Sequence, residues 1–176
     1  GQPLPGVTVQ VCDKQGNEAA AGEIGEIVCS GQNIMAGYYK DPEATARVLQ
    51  DGRLSTGDMG RIDDEGYLYI TGRKKEIIIS GGINIFPGEI EEVLREHPQV
   101  HDTAVFGVPD RAWGEKVIAA VVLATPGSVS EQGLVTLCRS KLAGFKCPKE
   151  FIFLDALPRN AAQKVVREEL RKEYKQ

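Results

Sequence analysis

The sequence predicts an α+β fold in two parts, and three observations carry that prediction. Residues 1–71 run mainly in strand-like alternation broken by turn residues, residues 76–176 mix helical and strand periodicities, and the rhythms meet at Gly72-Arg73-Lys74-Lys75. In the first part Val7, Val9 and Val11 alternate with polar residues, and Gln15-Gly16-Asn17 supplies turn chemistry. Ile24 to Ser30 reads as a second strand, and Arg61 to Asp63 with Tyr67 to Ile70 reads as a hairpin around Asp64-Glu65-Gly66. Asp41-Pro42-Glu43 opens a short helix, because Asp suits the N-cap and Pro the first helical position.

In the second part Pro87-Gly88-Glu89 begins a helix with Ile90, Val93 and Leu94 on one face, ending before Pro98. Val100 to Val108 and Val117 to Ala124 read as strands, the latter nearly all apolar and therefore buried on both faces. Ser130 to Ala143 reads as a helix, Phe151 to Leu154 as a strand, and Val166 to Tyr174 as a charged closing helix. The chain opens at Gly1-Gln2-Pro3 already inside a loop-and-strand pattern, so residues 1–71 are expected to be the β-rich end of a larger domain.

Composition narrows the function classes. Hydrophobic residues make up 41% and charged residues 26%, as in ordinary globular domains. No apolar run approaches the roughly 20 residues that cross a bilayer. The net charge of -4 argues against nucleic acid as a partner, since phosphate contacts demand a basic surface. Basic residues do gather between Lys141 and Lys175, with Glu150, Asp155, Glu168, Glu169 and Glu173 among them. That cluster reads either as a solvated face or as a local site for an anion. Cys12, Cys29, Cys138 and Cys147 lack metal-ligand spacing, so no metal site is expected and reduced thiols in a cytoplasmic protein fit best. His97 and His101 flank a helix end, where capping or surface placement is the expectation.

No single motif names a reaction; Lys164 alone would be a solvated lysine and Gly81-Gly82 a turn. The ordered series does more. Ser55-Thr56-Gly57-Asp58, Gly66 through Arg73, Ser80-Gly81-Gly82 leading to Glu89-Ile90-Glu91, and Pro158-Arg159-Asn160 ending at Lys164 follow one another, with Gly25-Glu26-Ile27 and Gly37-Tyr38-Tyr39 upstream. This series resembles the later core motifs of the adenylate-forming superfamily: acyl-CoA and aryl-CoA synthetases, luciferases and peptide-synthetase adenylation domains. It covers essentially the whole chain. The wording Ile78-Ile79-Ser80-Gly81-Gly82 and Phe145-Lys146-Cys147-Pro148-Lys149 looks closest to benzoate-type and medium-chain acyl-CoA ligases.

The resemblance implies ATP, AMP and CoA as ligands, Mg2+ accompanying the ATP, and a small carboxylic acid as substrate. It also implies that residues 72–75 are a hinge centred on Lys75 and residues 76–176 a C-terminal lid domain. A carboxylate would attack the α-phosphate of ATP to give acyl-AMP, and the CoA thiol would then attack the acyl carbon. Asp58 would accept hydrogen bonds from the ribose hydroxyls, with Arg73 adding donors nearby. Lys164 would set an ammonium between carboxylate and α-phosphate. Gly81 and Gly82 would let the pantetheine arm pass close to the backbone. Trp113 and Phe145 would offer apolar or stacking surfaces and Lys149 a phosphate contact, with ordinary packing the alternative for Trp113.

Two departures stand out. Gln163 replaces the usual glycine before the lysine, and Cys147 stands where related CoA ligases often carry a basic residue. The phosphate loop, acyl pocket and adenine site are expected in an N-terminal domain upstream, so the isolated chain is expected to be inactive. The rival readings are the end of a peptide-synthetase adenylation domain serving a carrier protein, and a non-catalytic CoA-binding module.

Overall fold

A computed structural model describes residues 1–174, and the chain divides into two compact units, Gly1–Lys75 and Glu76–Gln176. In the first, β1 (Val7–Cys12), β2 (Gly25–Gly31), β3 (Leu49–Gln50), β4 (Arg53–Ile62) and β5 (Leu68–Arg73) form one antiparallel sheet. The order is β1-β2-β4, with β3 against the start of β4 and β5 against its end. The β4–β5 hairpin turns where the sequence predicts. Asp63 Oδ1 accepts the amides of Glu65 (3.0 Å) and Tyr67 (2.8 Å), and Gly66 takes φ +80.

Helix α1 (Pro42–Val48) is capped by the Asp41 carboxylate, which accepts the Ala44 amide at 2.8 Å. The helix buries no residue of its own, and the buried apolar residues of the first unit are few: Val11, Cys12, Ile27 and Val28. Tyr38, Tyr39, Tyr67, Tyr69 and Ile70 stay exposed. This sheet therefore carries large apolar side chains that the unit itself does not cover.

The second unit has a full core. Strands β6 (Ile78–Ser80), β7 (Ile83–Ile85), β8 (Val100–Asp110), β9 (Gly114–Leu123) and β10 (Glu150–Phe153) make a mixed sheet. The long β9 is its centre, antiparallel to β8 on one side and parallel to β10 on the other. Alternation then sorts side chains to two faces. Val105, Val117, Ala119 and Val121 pack with Ile90 and Leu94 of α2 (Pro87–Arg95) and Leu134 and Cys138 of α3 (Glu131–Lys141). Ala104, Phe106, Val108, Ile118 and Ala120 pack with Leu157 and with Leu170 of α4 (Arg167–Tyr174). Burial on both faces is why β9 reads as an unbroken apolar run.

The α+β class and the order of the long elements match the sequence reading. Three short strands do not appear in it. β3 has two residues, and β6 and β7 three each, too few for a period to show. Gly72 and Arg73, placed in the connector by sequence, are the last residues of β5; a single 3-10 turn, Lys74–Glu76, follows. Among the described residues, no helix is long and apolar enough to cross a membrane.

Candidate functional site

In the first unit a bulge in the β4–β5 pairing sits beside Asp58, whose partner in register is Arg73. Gly57 takes φ +72, a left-handed conformation that suits glycine. The Thr56 hydroxyl donates to the Ile27 carbonyl at 2.8 Å and accepts the Asp58 amide at 3.1 Å, so the backbone at Asp58 is pinned to β2. Arg73 Nε then lies 2.7 Å from Asp58 Oδ1, with both side chains partly exposed. Burial, and then the charge of Asp58, push the Cys29 thiol up from its ordinary value. Arg73, Lys74, Lys75 and Gly57 border an open hollow of about 340 Å³. Lys74 is tied to Glu26 at 2.6 Å. Exposed Lys75 has no ion pair or side-chain hydrogen bond among the described residues.

In the second unit Gly81 and Gly82 form the two-residue turn between β6 and β7, at φ +59 and +79. Two positive φ values in a two-residue loop are the demand of a type I′ turn. The Gly81 amide donates to the Trp113 carbonyl at 2.8 Å, and a Cβ on Gly81 would stand 2.9 Å from Trp113 Cε3. The indole is 55% exposed, so it is a surface ring seated on a glycine turn rather than core packing. Ile79 and Ile83 are exposed on the two strands of this hairpin.

Lys164 lies on the loop from Pro158 to Val166, and Asn160 organises it. Asn160 Oδ1 accepts the amides of Ala162 (3.0 Å) and Lys164 (2.9 Å), and the Asn160 amide donates to the Lys164 carbonyl at 2.9 Å. Arg159 donates to the Gln163 carbonyl at 2.6 Å and pairs with Asp102. The lysine side chain is exposed, without an ion pair among the described residues. Gln163 takes φ +61, which explains why a glycine would suit that position. The Asx-turn at Asn160 is the part that sequence reasoning left without a role, although Asn two and four residues ahead of backbone donors is its signal.

Phe145 is exposed, and the Lys146 ammonium lies 5.9 Å from its ring centroid. Lys149 is exposed and held by its amide to Val117. No hydrogen bond or ion pair among the described residues joins Lys164 to Gly81, Trp113, Phe145 or Lys149. Cys147 is buried in the core, and burial pushes the neighbouring Cys138 thiol up to about 11, with Cys147 adding to the shift. Four of the eight described basic residues from Lys141 to Lys172 are in ion pairs: Lys141 with Glu96, Lys146 with Glu89, Arg159 with Asp102, and Arg167 with Glu76 and Glu91. Lys149, Lys164 and Lys172 are exposed, so the cluster is part matched ion pairs and part solvated lysines; Lys175 lies outside the described residues.

Residues 89–164 match the family model described as the AMP-binding enzyme C-terminal domain. The chain is 46% identical to 2-succinylbenzoate–CoA ligase of Bacillus cytotoxicus over 97% of this chain and 35% of that protein. It is 43% identical to indoleacetate–CoA ligase of Aromatoleum aromaticum over 97% of this chain and 34% of that protein. The chain belongs to the adenylate-forming superfamily. Its fold matches o-succinylbenzoate CoA synthetase of Bacillus subtilis in complex with the acyl-adenylate intermediate at a TM-score of 0.92 and 40% identity. That match covers 97% of this chain and 35% of the other. The chain thus spans about a third of the length of the superfamily members it matches.

Proposed function

We propose that this chain is the C-terminal part of an ATP-dependent acyl-CoA or aryl-CoA ligase, which activates a carboxylate as acyl-AMP and transfers it to CoA. The observation that carries the reading is Lys164: an ammonium without an ion pair among the described residues, on a loop fixed by Asn160, within a region matching CoA ligases over nearly its whole length. Structures of superfamily members hold ATP with magnesium, AMP or an acyl-adenylate.

In this scheme Asp58 accepts the ribose hydroxyls through the oxygen that Arg73 leaves available. Lys164 stands between the carboxylate and the α-phosphate, offsetting their repulsion and the charge that grows on the transferring phosphoryl. Gly81, Gly82 and Trp113 would flank the pantetheine arm, Phe145 would stack, and Lys149 would meet a CoA phosphate. Magnesium would arrive with the ATP, and no residue of this chain is assigned to it. Lys75, at the end of the first unit, is the hinge in this proposal, with residues 1–71 ending a larger domain and 76–176 acting as the lid. The uncovered Tyr67, Tyr69 and Ile70 fit a surface that more of that larger domain would cover.

Lys164→Ala in the complete ligase tests the assignment. Acyl-AMP formation should fall at least about a hundredfold, while CoA transfer from supplied acyl-AMP stays near normal. Equal loss of both half-reactions would sink it. Transfer to a phosphopantetheinyl carrier protein in preference to CoA would favour a peptide-synthetase adenylation domain.

A further inference from the structure

Arg167 opens α4, three residues after Lys164. A cation is disfavoured at that end of a helix, where the peptide dipoles present positive charge. Other interactions hold it. Its side chain is only 17% exposed, and its donors are spread over three partners. Nε donates to the Val105 carbonyl at 3.1 Å, Nη2 to Glu91 Oε1 at 2.6 Å, and Nη1 lies 3.1 Å from Glu76 Oε2. Glu91 is buried and also accepts the Val105 amide at 2.8 Å. Val105 belongs to β8, whose only strand partner among the described residues is β9. Its outward amide and carbonyl are thus satisfied by Glu91 and Arg167 as an adjoining strand would satisfy them. Arg171 repeats the device one strand period on, donating to the Gly107 carbonyl at 3.1 Å.

Glu76 is the first residue of the second unit, next to Lys75. One guanidinium therefore joins the entry to this unit, α2, the β8 edge and the C-terminal stem of the Lys164 loop. The other stem is pinned through Arg159 to Asp102, near the start of the same strand.

We infer that Arg167 is a positioning residue, acting with Glu76, that locks the Lys164 loop to the entry end of the lid so that both turn as one body. The inference rests on the reading of Lys164 as the adenylation residue. A planar fork with three fixed acceptors sets direction as well as distance. Loss of the Glu76 anchor lets the loop's stem tilt, and the ammonium then spends less time where the phosphoryl charge develops. CoA transfer does not use Lys164 in this scheme and is spared.

The test uses the complete ligase with Glu76→Gln, which keeps shape and removes charge, and Arg167→Lys, which keeps charge and removes the fork. Glu96→Gln, which breaks the ion pair to Lys141 in the same unit, is the control for simple loss of a surface charge pair. Acyl-AMP formation should fall about five- to tenfold in Glu76→Gln, with thioester formation from supplied acyl-AMP unchanged. Amide hydrogen exchange in residues 160–166 should speed up, and the control should change neither readout. Equal slowing of both half-reactions, or unaltered exchange and adenylation, overturns the inference. If Lys164→Ala leaves acyl-AMP formation intact, the reading of Lys164 fails instead, which separates the two failures.

Discussion

Arg73 and Asp58 face each other across β4 and β5, with Nε to Oδ1 at 2.7 Å, so the proposed ribose acceptor is already oriented by the chain's own arginine. Replacing Asp58 with Ala should raise KM for ATP by about tenfold to a hundredfold, the loss of charge-assisted hydrogen bonds worth about 1.5–3 kcal/mol. Arg73→Gln should change stability by less than about 1 kcal/mol, because the pair is half-exposed and screened. Steady-state kinetics and urea unfolding read the two effects separately.

The two turn glycines are predicted to differ. A methyl group at Gly81 meets the indole of Trp113, whereas one at Gly82 meets open space. Both substitutions to Ala carry the left-handed backbone strain, about 1–2 kcal/mol. Only Gly81→Ala should also displace the ring. Trp113 is the single tryptophan of this sequence, so emission from these 176 residues by themselves reports the displacement, and kinetics of the complete ligase report its effect. Gly81→Ala should shift that emission and slow thioester formation more than Gly82→Ala does.

Gln163 holds φ +61 beside Lys164. Gln163→Gly relieves the strain of a side chain in that region but adds freedom to the unfolded chain, for a net gain of up to about 1 kcal/mol. Urea unfolding should show a higher midpoint with acyl-AMP formation retained.

Glu91 is buried with Arg167 and Arg95 as charge partners. Glu91→Ala strands the Arg167 guanidinium and leaves the Val105 amide unanswered, and should destabilise the second unit by about 3–5 kcal/mol. Glu96→Ala, which breaks a surface pair with Lys141, should stay within about 1 kcal/mol. Thermal unfolding distinguishes the two.

At the end of α4 the Tyr174 hydroxyl donates to Glu150 Oε2 at 2.6 Å, and Lys116 lies 3.1 Å from the same oxygen. The tyrosine hydrogen bond, then that of Lys116, holds the Glu150 carboxyl below its usual value despite its partial burial. A depressed carboxyl stabilises the fold above its unfolded pKa and loses that contribution as pH falls through the folded one. Lys116 is raised, chiefly by the tyrosine and then by Glu150, so its contribution is full below its unfolded pKa and fades as pH rises through the folded one. Tyr174→Phe should therefore flatten the acid limb of stability against pH, measured by denaturation between about pH 2 and 6.

Much of this protein is written locally. The capped α1, the Asp63 turn and the doubly buried β9 each follow from a few neighbouring residues, because caps, turns and periodicity are short-range effects. The ordered motifs likewise marked Asp58, Arg73, Gly81, Gly82 and Lys164 as candidates. Only the tertiary structure decided their surroundings. Trp113 became a ring on a glycine turn because β6 and β9 meet at Ser80 and Gly114. Four residues of the late basic cluster became ion pairs because their carboxylate partners, Glu76, Glu89, Glu91, Glu96 and Asp102, come from far away in sequence. Arg167 shows the limit most clearly. Its place near Lys164 is plain in the sequence, but its bond to the Val105 carbonyl depends on β8 presenting an unpaired edge. An unpaired edge is a property of the assembled sheet, and no stretch of sequence carries it.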